Sequence, residues 1–269
     1  MPNLFVSVIN SLLPEPHASL LAGILFGTKA TMPKGFYEAL VTTGTLHIIA
    51  LSGMNISILV SLFAQSSLFL GLGRKASSIL TICLIVLFVL FVGPSPSIVR
   101  AAIMGCLTLL AIYFGRRDWG VLSLFLAAGI MLLFDFSLIK NLSFQLSFAA
   151  TLGIILALRQ AQCQRGIGLL DQFIFILKTN LIITLSAQLF TLPIIFFNFR
   201  RVSLISPIAN LLIEWTIQPI MALGFATAIL GWLWYPLVII PAWFVWVPLT
   251  YLITVVEWLA RLPGASINF

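Results

Sequence analysis

The sequence contains few charged residues. Only 8% of its 269 residues are charged, whereas 61% are hydrophobic, and the mean hydropathy is +1.16. Soluble globular domains have roughly 25% charged residues and about 45 to 50% apolar ones. The composition therefore excludes an ordinary water-soluble fold and predicts a protein that lies in a lipid bilayer.

Metal-binding and redox-active side chains are also scarce. The sequence has two histidines, His17 and His47, and three cysteines. Cys83 and Cys106 lie inside apolar runs, and Cys163 lies between arginines. This spacing supports neither a disulfide framework nor a zinc site. We predict no metal and no cofactor.

Patterns of catalytic residues are missing as well. His47 and Ser52 are five residues apart, about 140° around a helix, so they would not meet as a base and its nucleophile. There is no Walker A motif, no GxSxG elbow and no carboxylate pair suited to two metal ions. We therefore predict that the chain is not an enzyme.

Long apolar runs predict an all-α, polytopic transmembrane bundle. Transmembrane β-strands alternate between polar and apolar residues, and these runs do not. Runs of this length are typical of helices that cross a bilayer. About eight spans are predicted, at residues 46–70, 77–92, 98–114, 119–134, 138–158, 178–199, 204–230 and 233–259.

Two parts of the chain differ in composition. Residues 1–44 are mixed in character and predict an interfacial or extracytoplasmic segment, whereas residues 45–269 form the transmembrane domain. The apolar stretch 17–27 is too short to span and is expected at the interface or against the bundle. Five prolines interrupt the last two spans and predict broken or re-entrant helices there: Pro207, Pro219, Pro236, Pro241 and Pro248.

Basic residues predict the orientation. Lys and Arg favour the cytoplasmic side of a membrane. They cluster in alternate loops, which predicts that residues 1–44 lie outside, although Arg200 and Arg201 break the pattern. The basic residues of these loops are Arg74, Lys75, Arg116, Arg117, Arg159, Arg165 and Lys178.

Arg100 is the most informative charge, because it lies just inside an apolar span. An arginine near the centre of a membrane helix costs about 3 kcal/mol on insertion scales. Two explanations are open. Arg100 either faces a hydrated path, or it extends along the helix to reach the lipid headgroups.

Polar residues also interrupt the stretch TLHIIALSGMNISILV. In a continuous helix, His47 and Asn55 would face the same way. The pair Ser52 and Gly53 is a place where a membrane helix can kink or unwind. Such backbone is tolerated inside protein or beside water. These residues therefore line a path or form a packing seam between helices.

The stretch NLSFQLSFAA, residues 141–150, offers the same two interpretations. Asn141 and Gln145 are four residues apart, as are Ser143 and Ser147, so each pair shares a helical face. Small polar residues join membrane helices through hydrogen bonds of about 0.6 kcal/mol on average. Gln145 is longer and carries both donors and acceptors, which favours a hydrated cavity.

Several of these motifs together resemble the ComEC family, the DNA-internalisation channel of bacterial transformation. The resemblance begins at PEPHASLLAGILFG and includes LHIIALSGMNISIL, PSPSIVRAAIMG, FGRRD, NLSFQLSFAATLGIILA and SPIANLLIEWTIQPI. It covers nearly the whole chain from Pro14 onward. The family often has a second histidine where this chain has Asn55. Larger members also carry an OB-like and a metallo-β-lactamase-like domain, to which nothing in this sequence corresponds.

The resemblance implies inward passage of single-stranded DNA through the bacterial inner membrane during natural transformation. Partners that it implies are a cytoplasmic helicase-like ATPase and separate DNA-binding and nuclease proteins, and homo-oligomers are left open. Arg116 and Arg117 would contact DNA at the cytoplasmic mouth, or serve only to set the topology. Our candidates for the DNA path are His47, Ser52, Gly53, Asn55, Arg100, Gln145, Ser147 and Asn210. The alternative function is a secondary transporter or small-solute permease that uses broken helices at the membrane midplane.

Overall fold

The computed structural model describes residues 3–28, 32–49, 52–69, 71–116, 119–161, 169–199, 201–233, 238–262 and 266–268. Within these ranges it contains eleven α-helices, the two 3-10 helices Leu46–Ile48 and Phe136–Lys140, and one antiparallel pair of short strands, Arg201–Ser203 and Ser266–Asn268. The helices are α1 (Asn3–Leu12), α2 (His17–Phe26), α3 (Lys34–Thr42), α4 (Gly53–Phe69), α5 (Arg74–Val92), α6 (Pro96–Tyr113), α7 (Gly120–Phe134), α8 (Leu142–Ala161), α9 (Leu169–Phe199), α10 (Ser206–Leu233) and α11 (Ile239–Ala260). The predicted all-α polytopic bundle is confirmed.

Five helices of the described part are long and apolar enough to cross a membrane. They lie in α5, α6, α9, α10 and α11, and they correspond to five of the eight predicted spans. Two more predicted spans contain the shorter apolar helices Gly120–Phe134 and Leu142–Leu158. The protein is therefore an integral membrane protein built from helices of unequal length.

The first predicted span, 46–70, is not one helix. A 3-10 helix covers Leu46–Ile48, and α4 begins only at Gly53. The predicted interruption at Ser52 and Gly53 is therefore present. His47 and Asn55 consequently do not lie on one face of a continuous helix.

The prediction that prolines break the helices near the C-terminal end was wrong for the prolines that the structure describes. Helix α10 continues through Pro219, and α11 continues through Pro248. Neighbouring helices can satisfy the carbonyl that an interior proline leaves unpaired. Pro207 and Pro241 are the second and third residues of their helices, where the missing N–H costs nothing. Pro236 lies outside the described residues.

Helix α2 lies inside the bundle. Every residue from Ala18 to Phe26 is buried, and α2 packs against both α10 and α11. The ring of His17 stacks on Trp246 at 5.7 Å, and its Nε2 lies 2.9 Å from the hydroxyl of Thr250. Of the two predicted positions for this stretch, the one against the bundle is therefore confirmed.

The first 44 residues share their core with the rest of the chain. Helix α1 packs on α10, and α3 packs on α11. One buried cluster joins Ile9 and Leu20 to Ile213 and Leu249. The described residues of this segment thus pack against the transmembrane helices, and its interfacial or extracytoplasmic placement stays a prediction.

The start of α5 and the end of α6 lie at the same end of this helix pair. The Lys75 Nζ is 5.5 Å from the centre of the Tyr113 ring. Arg74 precedes Lys75, and Arg116 follows Tyr113 by three residues. Arg74, Lys75 and Arg116 therefore lie at the same end of this helix pair, and their cytoplasmic location stays a prediction.

Candidate functional site around Arg100

The start of α4 and the start of α6 meet at Gly53 and Arg100. Arg100 is the fifth residue of α6, and Gly53 is the first residue of α4. A Cβ atom added to Gly53 would lie only 2.9 Å from Nη2 of Arg100. Only glycine permits the guanidinium to approach the α4 backbone so closely. Gly53 and Arg100, which were predicted as path residues on separate grounds, are therefore in contact.

Arg100 is buried and bonded to α8. Its side chain is 4% exposed. Nη1 donates hydrogen bonds to the Ser147 carbonyl, at 2.6 Å, and to the hydroxyl of Thr151. The Thr151 hydroxyl in turn donates to the same Ser147 carbonyl at 2.9 Å. These contacts contradict the interpretation in which Arg100 reaches out to the lipid headgroups.

The charge of Arg100 has no counterion in the described part of the chain. No ion pair joins it to an Asp or Glu there, and its Nε is buried without a hydrogen-bond partner. The guanidinium also faces the N-terminus of α4, which carries a partial positive charge. Backbone N–H groups at a helix N-terminus and a guanidinium both bind anions such as phosphate. The local electrostatics therefore favour a negatively charged ligand.

The polar contact between α6 and α8 continues one turn toward the start of both helices. The Ser97 and Ser143 hydroxyls lie 3.0 Å apart, and Ser97 also donates to the Ser143 carbonyl at 3.3 Å. We call the set Ser97, Arg100, Ser143, Ser147 and Thr151 the α6–α8 seam. Ser143 is exposed and Arg100 is buried, so the seam leads from the surface into the bundle.

Two seam residues were missed by the sequence analysis. Thr151 extends the spacing of four that Ser143 and Ser147 share, so the same argument could have identified it. Ser97 precedes Arg100 by three residues and therefore lies on the same face of α6. The predicted shared face of Ser143 and Ser147 is confirmed, because both residues contact α6.

Asn55 has a structural contact. It is 1% exposed, and its Nδ2 donates to the Ile24 carbonyl at 2.9 Å. Ile24 lies in the last turn of α2, where carbonyls lack partners within the helix. Ser52 lies near the other end of the amide, with its Oγ 3.5 Å from Oδ1. Asn55 thus fixes the buried end of α2, and its contact with DNA stays a prediction.

Replacing Asn55 with leucine is expected to destabilise the protein by about 1 to 3 kcal/mol, because the buried Ile24 carbonyl would lose its donor. Thermal unfolding of the purified protein in detergent measures this effect. Gln65→Leu is the matched control, since Gln65 is exposed and bonds only to Ser61 on its own helix. Equal unfolding temperatures for the two variants would show that the contact is unimportant.

His47 lies at a different contact. Its side chain is exposed, and Nδ1 lies 3.1 Å from the Gly44 carbonyl. Gly44 has a φ of +71° and packs against the start of α10, where an added Cβ would lie 2.8 Å from the Ser206 Cβ. His47 and Asn55, which the sequence predicts on one face, therefore make separate contacts, with the Gly44 and the Ile24 carbonyl respectively. No described contact joins His47 to Arg100.

The remaining candidates are dispersed. Gln145 donates from Nε2 to the Ile139 carbonyl at 2.7 Å, which fixes the 3-10 helix before α8. Asn210 lies on α10, and its Oδ1 is buried without a hydrogen-bond partner. Arg116 is exposed, and Arg117 lies outside the described residues. The described residues contain no group of three or more potential metal ligands.

Comparison with known proteins shows the family. The chain matches the model of the competence protein family over residues 24–269. It is similar to ComE operon protein 3 of Bacillus subtilis (strain 168), with 29% identity over 208 residues. This match covers 77% of the present chain but 26% of that relative, so the chain spans about a quarter of its length. No solved structure matches the chain. Because the family model covers most of its length, the chain belongs to the competence protein family.

Proposed function

We propose that this chain forms a channel for the inward passage of single-stranded DNA during natural transformation. Membership of the competence protein family supports a role in DNA uptake. We place the channel in the bacterial inner membrane with the basic ends of α5 and α6 on the cytoplasmic side, as the charge pattern indicates.

The observation that carries this proposal is the buried charge of Arg100. A cation inside a membrane span is costly and usually marks an ion or substrate route. Arg100 has no acidic partner in the described residues and adjoins a line of hydroxyl groups. A phosphodiester backbone supplies the negative charge that the described environment of Arg100 lacks. The α6–α8 seam is therefore our proposed contact with DNA.

The permease alternative has lost part of its support. It uses broken helices that expose backbone at a midplane site, and breaks were predicted at the C-terminal prolines. The described parts of α10 and α11 run through their interior prolines instead. No observation in the described residues specifically favours a small solute over DNA.

Other components would complete the uptake system. We propose that Arg116 and Arg117 attract the emerging strand at the cytoplasmic mouth. The chain itself has no Walker A motif. A helicase-like ATPase would therefore supply the pulling force, and separate proteins would bind incoming DNA and degrade the second strand. We propose that the present chain conducts DNA without enzymatic activity.

Reconstituted protein tests the function. Proteoliposomes would be given labelled single-stranded DNA on the outside, and nuclease-protected label would be measured. We expect protected DNA above the level of protein-free liposomes, driven by the inward concentration gradient. Labelled small solutes serve as the control for leakage. Entry of the solutes without protected DNA would contradict the proposal and favour the permease.

A further inference from the structure

Glu214 is a carboxyl group inside a membrane span. It is the ninth residue of α10, whose segment Ser206–Gly231 is long and apolar enough to cross a bilayer. Its side chain is half-buried and makes no hydrogen bond or ion pair with any described residue. An ionised carboxylate is costly at such a position, and intramembrane acids usually have a function.

Asn210 lies one helical turn before Glu214. Residues four apart on a helix share a face, with Cβ atoms about 5 to 6 Å apart. The Oδ1 of Asn210 is buried and has no donor among the described residues. A buried acceptor without a donor costs about 1 to 3 kcal/mol. Asn210 and Glu214 together therefore present oxygen acceptors for which the described residues provide no hydrogen-bond donor.

The surrounding groups do not supply that hydrogen. On α10 itself, the Thr216 hydroxyl donates to the Ile213 carbonyl at 2.7 Å. The Tyr251 hydroxyl of α11 donates to the Leu212 carbonyl at 3.1 Å. His17 of α2 lies against Thr250. The Thr216 and Tyr251 hydroxyls are thus bonded to backbone carbonyls. No described hydrogen bond joins His17, whose Nδ1 is buried without a partner, to Asn210 or Glu214.

The described charged groups on the neighbouring helices form no ion pair with Glu214 either. Helices α1, α2, α4, α9 and α11 pack against α10. The sequences of α1 and α4 contain no acidic or basic residue. Lys178 of α9 forms no described ion pair with Glu214, and Glu257 of α11 is itself an acid. The side chain of Asp171 lies outside the described residues.

We propose that Glu214 is a proton-binding site inside the membrane. The carboxylate takes one proton from hydronium, which leaves water, and the resulting O–H donates to Oδ1 of Asn210. Protonation satisfies the buried acceptor and removes the negative charge from the span. The benefit of this site rests on the proposed function: if the chain conducts DNA, a neutral Glu214 does not repel the DNA polyanion.

A hydrophobic carbodiimide tests the site directly, since it modifies protonated carboxyl groups within membranes. The purified wild-type protein would be labelled at neutral pH and analysed by peptide mass spectrometry. We expect at least tenfold more labelling at Glu214 than at the exposed Glu38, with labelling that decreases as the pH is raised. In Asn210→Leu, labelling should be lost at a lower pH, because the acceptor is gone. Labelling at Glu214 no higher than at Glu38 would overturn the proposal.

DNA uptake separates this inference from the channel itself. Glu214→Gln mimics the neutral acid and is expected to retain uptake within about twofold of wild type, as is the surface control Glu38→Gln. Loss of uptake in folded Glu214→Gln would show that the ionised form is required and would refute the neutral site while leaving the channel in place. If the wild type takes up no DNA, the channel fails, and the carbodiimide result still decides whether Glu214 binds a proton.

Discussion

Arg100→Met is expected to lower nuclease-protected DNA uptake by about tenfold to a hundredfold. A hydrogen bond to a charged group contributes about 1.5 to 3 kcal/mol, and about 1.4 kcal/mol corresponds to a factor of ten. The guanidinium is the buried cation of the α6–α8 seam, so its removal takes away the attraction for phosphate. Initial uptake rates in proteoliposomes measure the effect.

The same variant distinguishes a DNA contact from a structural role. Methionine fills much of the volume of arginine, and it removes the cost of an uncompensated charge inside a membrane span. The Ser147 carbonyl that Arg100 releases keeps the Thr151 hydroxyl as its donor. We therefore expect Arg100→Met to unfold at or above the wild-type temperature. Arg261→Met, at the exposed end of α11, is the matched control and should keep wild-type uptake. Uptake by folded Arg100→Met at the wild-type rate would contradict a role for this residue in the path.

Gly53→Ala is expected to reduce uptake severalfold without removing any charge. The new Cβ would lie 2.9 Å from Arg100 Nη2, closer than such contacts allow, so the guanidinium must move. Gly105→Ala is a control on α6 itself, because its new Cβ would make only an ordinary contact of 3.5 Å with Val60. Uptake rates of the two variants are compared at equal amounts of folded protein.

Combining the two substitutions tests whether Gly53 acts through Arg100. If displacement of the guanidinium is the cause, Gly53→Ala should have no further effect in the Arg100→Met background. A severalfold reduction that persists in the double variant would show that the alanine perturbs α4 by another route. Equal reductions by Gly53→Ala and Gly105→Ala in the wild-type background would likewise contradict the proposed contact.

Much of this site could be predicted from local patterns. The cost of a membrane arginine identified Arg100, and the spacing of four placed Ser143 and Ser147 on one face. Periodicity does not show which helices are neighbours. The bond from Arg100 to the Ser147 carbonyl, like that from Asn55 to the Ile24 carbonyl, depends on tertiary packing between distant segments. The sequence therefore predicts Asn55 as a path residue, and its bond to the Ile24 carbonyl is visible only in the fold.

The proline prediction failed for a related reason. A proline removes one backbone donor, and that local fact favours a break in an isolated helix. Helices α10 and α11 pack closely against each other and against α2, so continuing the helix retains contacts that a break at Pro219 or Pro248 would lose. Glu214 was overlooked because it lies in a motif that was used only for the family resemblance. Its lack of a partner among the described residues is visible only when the helices that pack against α10 are known.

Photo-crosslinking at Ser143 tests the central claim most directly. A photoreactive amino acid would be placed at this exposed seam position and illuminated during uptake of labelled single-stranded DNA. Leu133, which is 89% exposed on α7, is the matched apolar position. We predict DNA crosslinks at position 143, few at position 133, and a marked decrease at 143 in the Arg100→Met variant. Uptake of DNA with equal crosslinking at both positions, or with none at position 143, would contradict passage along the α6–α8 seam.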